Sequence, residues 1–552
     1  MIPGVSATEA CVTALSQRLT TRDVAPLLPP CSYALLETVL QVPEHEFRYR
    51  SIAIRSLFYL HGYSLLESRD VRRLLVRRAT DEELVALYRF DPSGRFHRRR
   101  DLEESVVTRP WKPGGRWASH FLSVLGLPRQ LAPQKAQQRI PSEEVLSPSY
   151  PLPELHPFQR ALLPRLETVL CSSRSPARRA ILSLPTGAGK TRLAMEAIVG
   201  EFLRSPSPRG IFLWLTPSEE LCVQAEIALR EVWSDQTYRL SRERRSVWPA
   251  RLARLYAKHD LESDLTGGFI VATLQKVRSL ARRSEEAVVA LRDSLRAVVL
   301  DEAHQATAPS YLEALNCLGV GPQCGEDGPP FIGLTATPYR VDRGESAMLV
   351  ELFRGALVTP DWEDPIGELR DLGILSAVDI RTVRPPCTMQ DPSRDNHYSP
   401  EWEEGVNSTI LRELLALPDD WPTLIFTNSL PQAHHLALML RLNGRQAASI
   451  SHDSGSGLRS STLEDFRSGS VQIICNFGLL TTGFDAPGVR CVVVARSTTS
   501  PLLYEQMIGR GMRGPANGGT DRCLIIDVED GAGWFQGQMS YTRYQDLWRR
   551  SA

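Results

Sequence analysis

Lysine is nearly absent from this sequence, and net charge is absent altogether. Only five of the 552 residues are lysines, against 59 arginines, and the 64 basic residues are balanced by 64 acidic ones. The overall charge therefore gives no indication of a nucleic-acid partner, although a binding groove needs only a local basic strip. We attribute the excess of arginine to a coding bias, and against that bias a lysine at position 190 is informative.

Paired cysteines and long apolar runs are also missing. The ten cysteines include no Cys-x-x-Cys pair, and the two nearest each other, Cys317 and Cys324, have no second pair to complete a metal site. This pattern predicts free or buried thiols in a reducing compartment. No run approaches the roughly 18 apolar residues of a membrane helix, and the first ten residues lack a secretory signal. We expect a cytoplasmic protein, bacterial or nucleoid-associated, with no membrane partner.

The first third of the chain predicts a small helical domain. Apolar residues are 42% and charged residues 23% of the sequence, as in ordinary globular proteins, and the length favours two to four domains. From Tyr33 to Tyr88 the apolar spacing is helical rather than alternating. We therefore predict a mainly helical accessory domain over 1–127, followed by a linker over 128–153 that is rich in Pro, Ser and Gln.

An arginine cluster near the end of this region has two readings. The cluster is followed by Trp111 and Trp117 in a Gly/Pro-rich segment, and its members are Arg95, Arg98, Arg99 and Arg100. It could contact phosphates while the tryptophans stack on bases. It could equally be a solvated charge run beside structural tryptophans.

From residue 154 onward, apolar strands alternate with helical patterns, which is typical of parallel α/β sheets. The first series of predicted strands is 180–184, 211–216, 269–274, 297–301 and 331–335. The second is 423–427, 447–451, 471–475, 491–495 and 523–527. Two series predict two stacked α/β domains, over 154–360 and 361–552, with a nucleotide in the cleft between them.

The first chemical motif is a phosphate-binding loop at the end of a predicted strand. It runs Leu184-Pro185-Thr186-Gly187-Ala188-Gly189-Lys190-Thr191, and a helical pattern follows. The glycines allow successive N–H groups to face one anion at the helix start. Lys190 would contact the β- and γ-phosphates, and the Thr191 hydroxyl would bind Mg²⁺. The general motif has glycine where Leu184 stands, and an ordinary glycine-rich turn is the alternative.

The second motif is Asp301-Glu302-Ala303-His304, directly after an apolar run. The carboxyl ends of parallel strands are where such sheets bind ligands. Asp301 suits the Mg²⁺ shell, and Glu302 suits orienting or deprotonating the attacking water. His304 could report the state of the site to neighbouring elements.

With these motifs in order, the chain resembles superfamily 2 DEAD/DEAH-type helicases and translocases from about 155 to 530. The resemblance implies two tandem RecA-like domains with ATP and Mg²⁺ between them. It implies adenine recognition by Gln159, nucleotide contacts by Gly483 and Asp485, and coupling of hydrolysis to domain movement by Thr335 and Thr337. The implied nucleic-acid contacts, which together predict sequence-tolerant binding along one strand, are Thr216, Pro217, Gly267, Gly268, Thr273, Thr427 and Thr481.

The motif Gln506-Met-Ile-Gly509-Arg510-Gly511-Met512-Arg513 is the most diagnostic of the resemblance. An arginine reaching across the cleft can stabilise the charge on a transferred phosphoryl group. Arg510 and Arg513 are three residues apart, so we expect one helix face to present both, with Gln506 beside them. A surface arginine pair is the alternative.

The sequence Gly483-Phe-Asp-Ala-Pro, followed by the segment up to Gln506, is more similar to XPB-like and restriction-associated bacterial DNA translocases than to DEAD-box RNA helicases. We therefore expect an ATP-dependent DNA helicase or translocase with a role in repair or genome defence. Two alternatives stay open: an RNA remodeller, and an ATP-gated switch that recruits a protein partner through its N-terminal domain.

Overall fold

The chain forms an N-terminal helical domain and two α/β lobes in a computed structural model. No helix in the described part is long and apolar enough to cross a membrane. The structure describes residues 7–28, 53–54, 56–58, 61–90, 98–112, 114–132, 141–146, 152–171, 178–205, 210–243, 249–260, 267–324, 328–340, 342–385, 400–451, 456–479, 488–496 and 501–528.

The N-terminal domain is helical, which confirms the prediction from apolar spacing. Its helices are α1 (Ala7–Arg18), α2 (Thr21–Val24), α3 (Arg69–Arg77), α4 (Asp81–Arg89), α5 (Arg99–Val107) and α6 (Arg116–Val124), and its 3₁₀ turns are Ala25–Leu27, Gly62–Glu67 and Arg129–Leu131. Thr80 and Glu83 form a capping box that starts α4 by satisfying two of its free N–H groups. Leucines, valines and Phe121 fill a core of its own.

The two tryptophans belong to that core, which excludes base stacking from the first reading of the arginine cluster. Trp117 is 7% exposed, and Trp111 packs edge-on against Phe121 with the ring centroids 5.3 Å apart. Neither indole therefore forms a platform for bases, because its faces are already in contact with protein. Arg95 lies outside the described residues.

The first lobe is an eight-stranded sheet with helices on both faces. Its elements are β1 (Glu143–Val145), α7 (Pro157–Cys171), β2 (Arg179–Ser183), α8 (Lys190–Arg204), β3 (Gly210–Thr216), α9 (Glu219–Arg242), β4 (Arg251–Leu255), β5 (Gly267–Thr273), α10 (Leu274–Arg283), α11 (Glu285–Ser294), β6 (Leu295–Leu300), a 3₁₀ turn (Ala303–Gln305), α12 (Pro309–Cys317), β7 (Phe331–Thr335), α13 (Arg343–Leu352) and β8 (Leu357–Val358). The strand order is β1-β4-β5-β3-β6-β7-β2-β8, and all pairs are parallel except β1 with β4. The near-continuous apolar strands fit a sheet that is covered on both faces.

Part of the predicted linker over 128–153 is folded, so that prediction needs correction. The turn Arg129–Leu131 buries Leu131 in the N-terminal core. Glu143–Val145 pairs antiparallel with β4 and becomes an edge strand of the first lobe. The strand Glu143–Val145 has three residues, two of them acidic, so it shows no apolar alternation and was not predicted from the sequence.

The second lobe is a six-stranded parallel sheet. Its elements are α14 (Pro365–Asp371), β9 (Ala377–Val383), α15 (Pro400–Leu415), β10 (Thr423–Phe426), α16 (Leu430–Leu442), β11 (Ala447–Ser451), α17 (Ser456–Arg467), β12 (Ile473–Phe477), β13 (Cys491–Val494), α18 (Pro501–Ile508), a 3₁₀ turn (Pro515–Asn517) and β14 (Arg522–Val528). The strand order is β11-β12-β10-β13-β14-β9. The two parallel sheets confirm the predicted α/β class.

Parallel pairing brings five strand ends of the first lobe to one edge. Ser183 pairs with Thr335, Thr216 pairs with Thr273, and Leu215 pairs with Leu300. The residues that follow these strand ends therefore share one edge of the sheet, where open α/β sheets bind ligands. The phosphate-loop motif and the acidic motif both start at this edge.

Candidate active site between the two lobes

The phosphate loop has the backbone that its glycines allow. Gly187 and Gly189 have φ angles of +85° and +82°, in the left-handed region that other residues rarely adopt. Gly189 is the N-cap of α8, so the free N–H groups of the helix start point into the loop. Leu184, which replaces the first glycine of the general motif, is buried, and its N–H donates to Thr335 O at 3.3 Å.

Lys190 begins α8 beneath this loop and is half-buried. Its Nζ donates to Leu184 O at 3.0 Å and to Pro185 O at 3.2 Å. Burial lowers the pKa of Lys190, and the carboxylates of Glu302 and Asp301 act against that shift. A buried ammonium beside two acids and a helix N-terminus suits the phosphates of a nucleotide.

Gln159 lies under the loop, where it makes contacts that its predicted role did not foresee. It is 4% exposed; its Nε2 donates to Ala188 O at 3.0 Å, and its Oε1 accepts from the His156 N–H at 3.0 Å. The carboxamide therefore ties the start of α7 to the phosphate loop. Adenine recognition by Gln159 stays a prediction.

Asp301 and Glu302 lie immediately after β6, at the same edge. The Asp301 N–H donates to Leu215 O at 2.9 Å, and the Asp301 Oδ1 accepts the Glu302 N–H at 2.9 Å. Burial and then the Glu302 charge raise the pKa of Asp301 to about 7, while Lys190 and Arg510 act in the opposite direction. Glu302 has a φ of +50°, which is uncommon for a non-glycine residue and holds its side chain at a strained turn.

His304 connects these acids to the motif at the end of β7. Its Nδ1 lies 3.4 Å from Glu302 Oε2 and 3.2 Å from Thr335 Oγ1. The Thr335 hydroxyl in turn donates to Thr337 O at 3.0 Å. Burial lowers the pKa of His304, so the imidazole is neutral near pH 7. The three residues predicted to couple hydrolysis to movement therefore form one hydrogen-bonded chain.

The second lobe reaches the phosphate loop through the turn after α18. The positive charge of Arg510 acts on the pKa of both Lys190 and Asp301. A cavity between the lobes is lined on one side by Pro185 and Thr186 and on the other by Ile366, Glu505, Ile508, Gly509 and Met512. Gln506 is 8% exposed on α18. The site is therefore assembled from both lobes.

Arg510 and Arg513 do not share a helix face, so that prediction was wrong. Helix α18 ends at Ile508, and Arg513 instead forms an isolated antiparallel bridge with Leu375. A Cβ on Gly511 would lie only 2.3 Å from Cys523 Sγ, so this turn packs closer to β14 than a helical residue with a side chain could. The spacing of Arg510 and Arg513 fits a helix, and it carries no information about the close packing of Gly511 against β14.

Asn517 is a site residue that sequence reasoning missed. Its Oδ1 lies 3.2 Å from His156 Nε2, and its Nδ2 donates to Gly187 O at 3.4 Å. It therefore joins the second lobe to the phosphate loop. Its position in a Gly/Pro-rich turn gives no local signal, because the partners are more than 300 residues away.

The predicted nucleic-acid threonines turn their hydroxyls inward. Thr216 Oγ1 donates to Ser218 O at 2.8 Å, and Thr427 Oγ1 lies 3.1 Å from Ser429 O. Thr273 Oγ1 accepts from the Lys276 N–H and caps α10. All three side chains are buried, whereas Pro217 is half-buried. The three hydroxyls are therefore occupied by protein partners. Contacts with a nucleic-acid strand at these turns would have to come from the backbone.

Gly267 and Gly268 lie at the edge of the sheet opposite the phosphate loop, and nucleic-acid contacts by them stay a prediction. They begin β5, whereas Thr273 ends it, so they lie about 20 Å from the site edge along the strand. Gly268 has a φ of +133°, and a Cβ there would meet Arg251 O at 2.4 Å, so it serves close strand packing. The predicted residues Thr481, Gly483 and Asp485 lie outside the described residues.

The donor set fits a nucleoside triphosphate with Mg²⁺. No cluster of three or more His, Cys, Asp or Glu ligands occurs in the part of the chain that the structure describes. The Thr191 hydroxyl and the Asp301 carboxylate are a sparse set, and Mg²⁺ is characteristically held by one or two protein ligands plus phosphates and water. The loop, Lys190 and Arg510 supply the positive field for the phosphates.

Two sequence families match this chain. Residues 153–340 match the family described as type III restriction enzyme, res subunit, and residues 407–514 match the helicase conserved C-terminal domain. The putative ATP-dependent helicase IRC3 of Saccharomyces cerevisiae is 25% identical over 70% of this chain. The match covers 52% of that relative, so this chain spans about half its length.

An RNA helicase and a solved structure are also similar. The ATP-dependent RNA helicase dbp8 of Schizosaccharomyces pombe is 23% identical over 64% of this chain and 74% of its own length. A structure of Mss116p bound to single-stranded RNA and AMP-PNP is 15% identical, with a TM-score of 0.49 over 69% of this chain and 71% of that one.

Proposed function

Because this chain belongs to the superfamily 2 helicases, we propose that it is an ATP-dependent DNA helicase or translocase that hydrolyses ATP between its lobes and moves along a strand. One observation carries the proposal. The phosphate loop and acids of the first lobe lie in one electrostatic cluster with Arg510 of the second. A site divided between lobes is complete only when they close, which links hydrolysis to movement.

Each residue has a distinct part in the proposed reaction. Thr191 and Asp301 would hold Mg²⁺, which would neutralise phosphate charge when bound. The Lys190 ammonium binds the β- and γ-phosphates, and the Glu302 carboxylate orients the attacking water and accepts its proton. Arg510 stabilises the charge that spreads over the transferred oxygens.

The histidine chain would transmit the state of this site. Neutral His304 lies between Glu302 and Thr335, so a change at the carboxylate alters the hydrogen bonds at the end of β7. Thr335 Oγ1 also accepts from the Thr337 N–H at 3.0 Å. The coupling proposed for Thr335 and Thr337 is therefore a rearrangement of this short chain.

Two features support DNA as the substrate. The first-lobe match is to a family described by a restriction enzyme subunit, and the motif that begins at Gly483 resembles DNA translocases. The similarity to the RNA helicase dbp8 supports RNA remodelling as the second candidate. A role in repair or genome defence, and recruitment of a protein through the N-terminal domain, are extensions of the same proposal.

ATP hydrolysis measured with single- and double-stranded DNA and RNA tests the proposal. We expect DNA to stimulate the wild-type protein, Lys190→Ala to abolish turnover, and Glu302→Gln to retain bound nucleotide without turnover. Lys258→Ala, at an exposed lysine of the same lobe, is the matched control and should keep the wild-type rate. Stimulation by RNA alone would replace the DNA proposal with the second candidate, and wild-type turnover by Lys190→Ala would refute the site.

A further inference from the structure

One face of helix α3 in the N-terminal domain presents an arginine at every fourth position. Arg69 and Arg77 are exposed, and the Arg73 side chain between them is 32% exposed. Residues four apart lie on the same side of a helix, so the three side chains form a row about 12 Å long. Helix α5 packs beside α3 and adds the exposed Arg100. We call these four residues the arginine surface.

Two acidic residues beside the arginine surface, Asp70 and Glu104, accept hydrogen bonds from Arg73. Arg73 donates to Asp70 Oδ1 at 2.8 Å and to Glu104 Oε1 at 3.1 Å. The charges of Arg73, Arg100 and Arg77 all contribute to lowering the pKa of Glu104. Arg73 thus pairs with Asp70 and Glu104, while Arg69, Arg77 and Arg100 add three exposed guanidinium groups to this surface.

A buried arginine adds to this positive field from below. Arg72 is 3% exposed, and its guanidinium donates to the carbonyl oxygens of Leu66 and Glu67, at 2.6 Å and 2.9 Å. The same guanidinium donates to a third carbonyl oxygen, that of Val107, at 3.5 Å. Its acceptors are carbonyl oxygens rather than carboxylates. Burial and then the charge of Arg69 lower the pKa of Arg72, whereas the charge of Glu67 raises it.

The shape of the arginine surface suits a phosphodiester backbone rather than bases. Trp111 and Trp117 contact protein through their rings, with Arg72 5.0 Å from the first centroid and Arg109 4.6 Å from the second. Stacking on bases is therefore not available here, whereas guanidinium groups bind phosphates bidentately. Successive arginines of the row are about 6 Å apart along the helix axis, so each can meet a different phosphate of one strand.

We propose that the arginine surface binds the phosphate backbone of duplex DNA, as a second contact outside the cleft between the lobes. The proposal rests on the nucleic-acid-dependent activity proposed above. It assigns the N-terminal domain a sequence-independent role in holding the duplex on which the motor acts.

Fluorescence anisotropy with a labelled DNA duplex and the full chain tests this proposal. The triple variant Arg69→Gln/Arg77→Gln/Arg100→Gln should bind the duplex at least about tenfold more weakly at low salt. Between about 50 and 200 mM salt, the slope of log affinity against log salt should become shallower by about 2 to 3, because about 0.9 is lost per phosphate contact. The maximal ATPase rate at saturating DNA should be unchanged.

The matched control removes three exposed arginines from other helices of the same domain. The variant Arg89→Gln/Arg116→Gln/Arg129→Gln has the same change in charge and should keep the wild-type slope. Equal slopes for the two variants would overturn the proposal and would leave the surface to an acidic protein partner. A wild-type chain without ATPase activity would refute the proposed function instead, while the binding comparison would still decide this inference.

Discussion

Arg510 is a residue of the second lobe whose charge reaches the phosphate loop and the acidic motif of the first. Its charge reaches Lys190 and Asp301, whereas the backbone of Arg513 accepts bonds from Ser376 Oγ and the Thr520 N–H. The two arginines of one motif therefore have different positions. Arg510 lies close to the site, whereas the Arg513 backbone joins the start of β9 to the turn after α18.

We expect Arg510→Gln to lower the rate of ATP hydrolysis by about 10³-fold or more, since an arginine that completes a phosphoryl-transfer site contributes on that order. Nucleotide affinity should change much less, because the loop and Lys190 remain. Phosphate release at saturating ATP, together with titration of a fluorescent nucleotide, separates the two quantities. Arg513→Gln is the comparison, and an equal loss of rate in both variants with unchanged affinity would contradict the assignment.

Single-site chemistry could be predicted where the signal is local. The loop from Thr186 to Thr191 carries its function in consecutive residues, so its glycines and Lys190 could be identified from spacing alone. Asn517 could not, because its contacts with the loop depend on how the lobes meet. For Thr216 the motif could be found from the sequence, but the motif did not reveal that the hydroxyl is buried and donates to Ser218 O.

At the scale of elements, apolar runs predicted ten strands, and the structure confirms all ten within two residues at each end. Four further strands among the described residues, β1, β4, β8 and β9, were not predicted because they lack a continuous apolar run. Strands β1 and β8 have three and two residues, β4 contains the buried charge of Arg254, and β9 is largely exposed. Edge strands are stabilised by partners rather than by their own apolar residues, so their sequences say little.

Strand β1 is fixed to the first lobe by a buried ionic cluster. Arg254 on β4 is fully buried and donates to Glu226 Oε2 at 2.9 Å and to Glu144 Oε2 at 2.5 Å. Arg230 donates to the other Glu144 oxygen at 2.6 Å. Arg254 thus connects β4 to α9 and β1 through Glu226 and Glu144, which are 28 and 110 residues away in sequence.

Arg254→Met should destabilise the first lobe by about 3 to 5 kcal/mol, because it removes the buried cation that Glu226 and Glu144 share and leaves both carboxylates to Arg230. Hydrogen exchange across 141–146 and the thermal unfolding midpoint both report the change. Arg251→Met on the same strand is the matched control, since Arg251 is 59% exposed and lies 3.9 Å from Glu143. Similar losses from the two variants would show that the cluster does not hold β1.

The turn after α18 gives a second prediction for elements. A Cβ on Gly511 would meet Cys523 Sγ at 2.3 Å and Val492 Cγ2 at 2.9 Å, so Gly511→Ala forces the turn away from the sheet. We expect a loss of about 1 to 3 kcal/mol in lobe stability and slower ATP hydrolysis, because Arg510 moves with the turn. Gly488→Ala, which has nothing within 4 Å of its added Cβ, should be near neutral. Differential scanning calorimetry with an ATPase assay compares them, and equal melting curves would contradict this account.

At the scale of the whole molecule, the lobes contact each other at more than the phosphate loop. Arg459 on α17 lies 3.0 Å from Glu220 at the start of α9. The N-terminal domain packs on the second lobe, where Leu442 at the end of α16 contacts its core. The accessory domain, which includes the arginine surface, is therefore in contact with the second lobe.

The contact between the N-terminal domain and the second lobe contains two imidazoles. His434 Nδ1 lies 2.7 Å from Ser449 Oγ, and His61 is its electrostatic neighbour from the other domain. Burial, and then the charge of His61, lowers the pKa of His434 from 6.5 to about 4, and burial also lowers the pKa of His61. Both rings are therefore neutral in the docked state near pH 7.

Stability of this contact should fall with acidification. Well above pH 6.5 both rings are neutral in the docked and in the separated state. As pH falls from 6.5 towards 4, the separated histidines gain protons first, so docking weakens. Limited proteolysis of the full chain across this range should show faster release of the N-terminal domain at low pH. His61→Gln/His434→Gln should flatten that profile, whereas His259→Gln should not, and an unchanged profile in the double variant would assign the pH dependence to other groups.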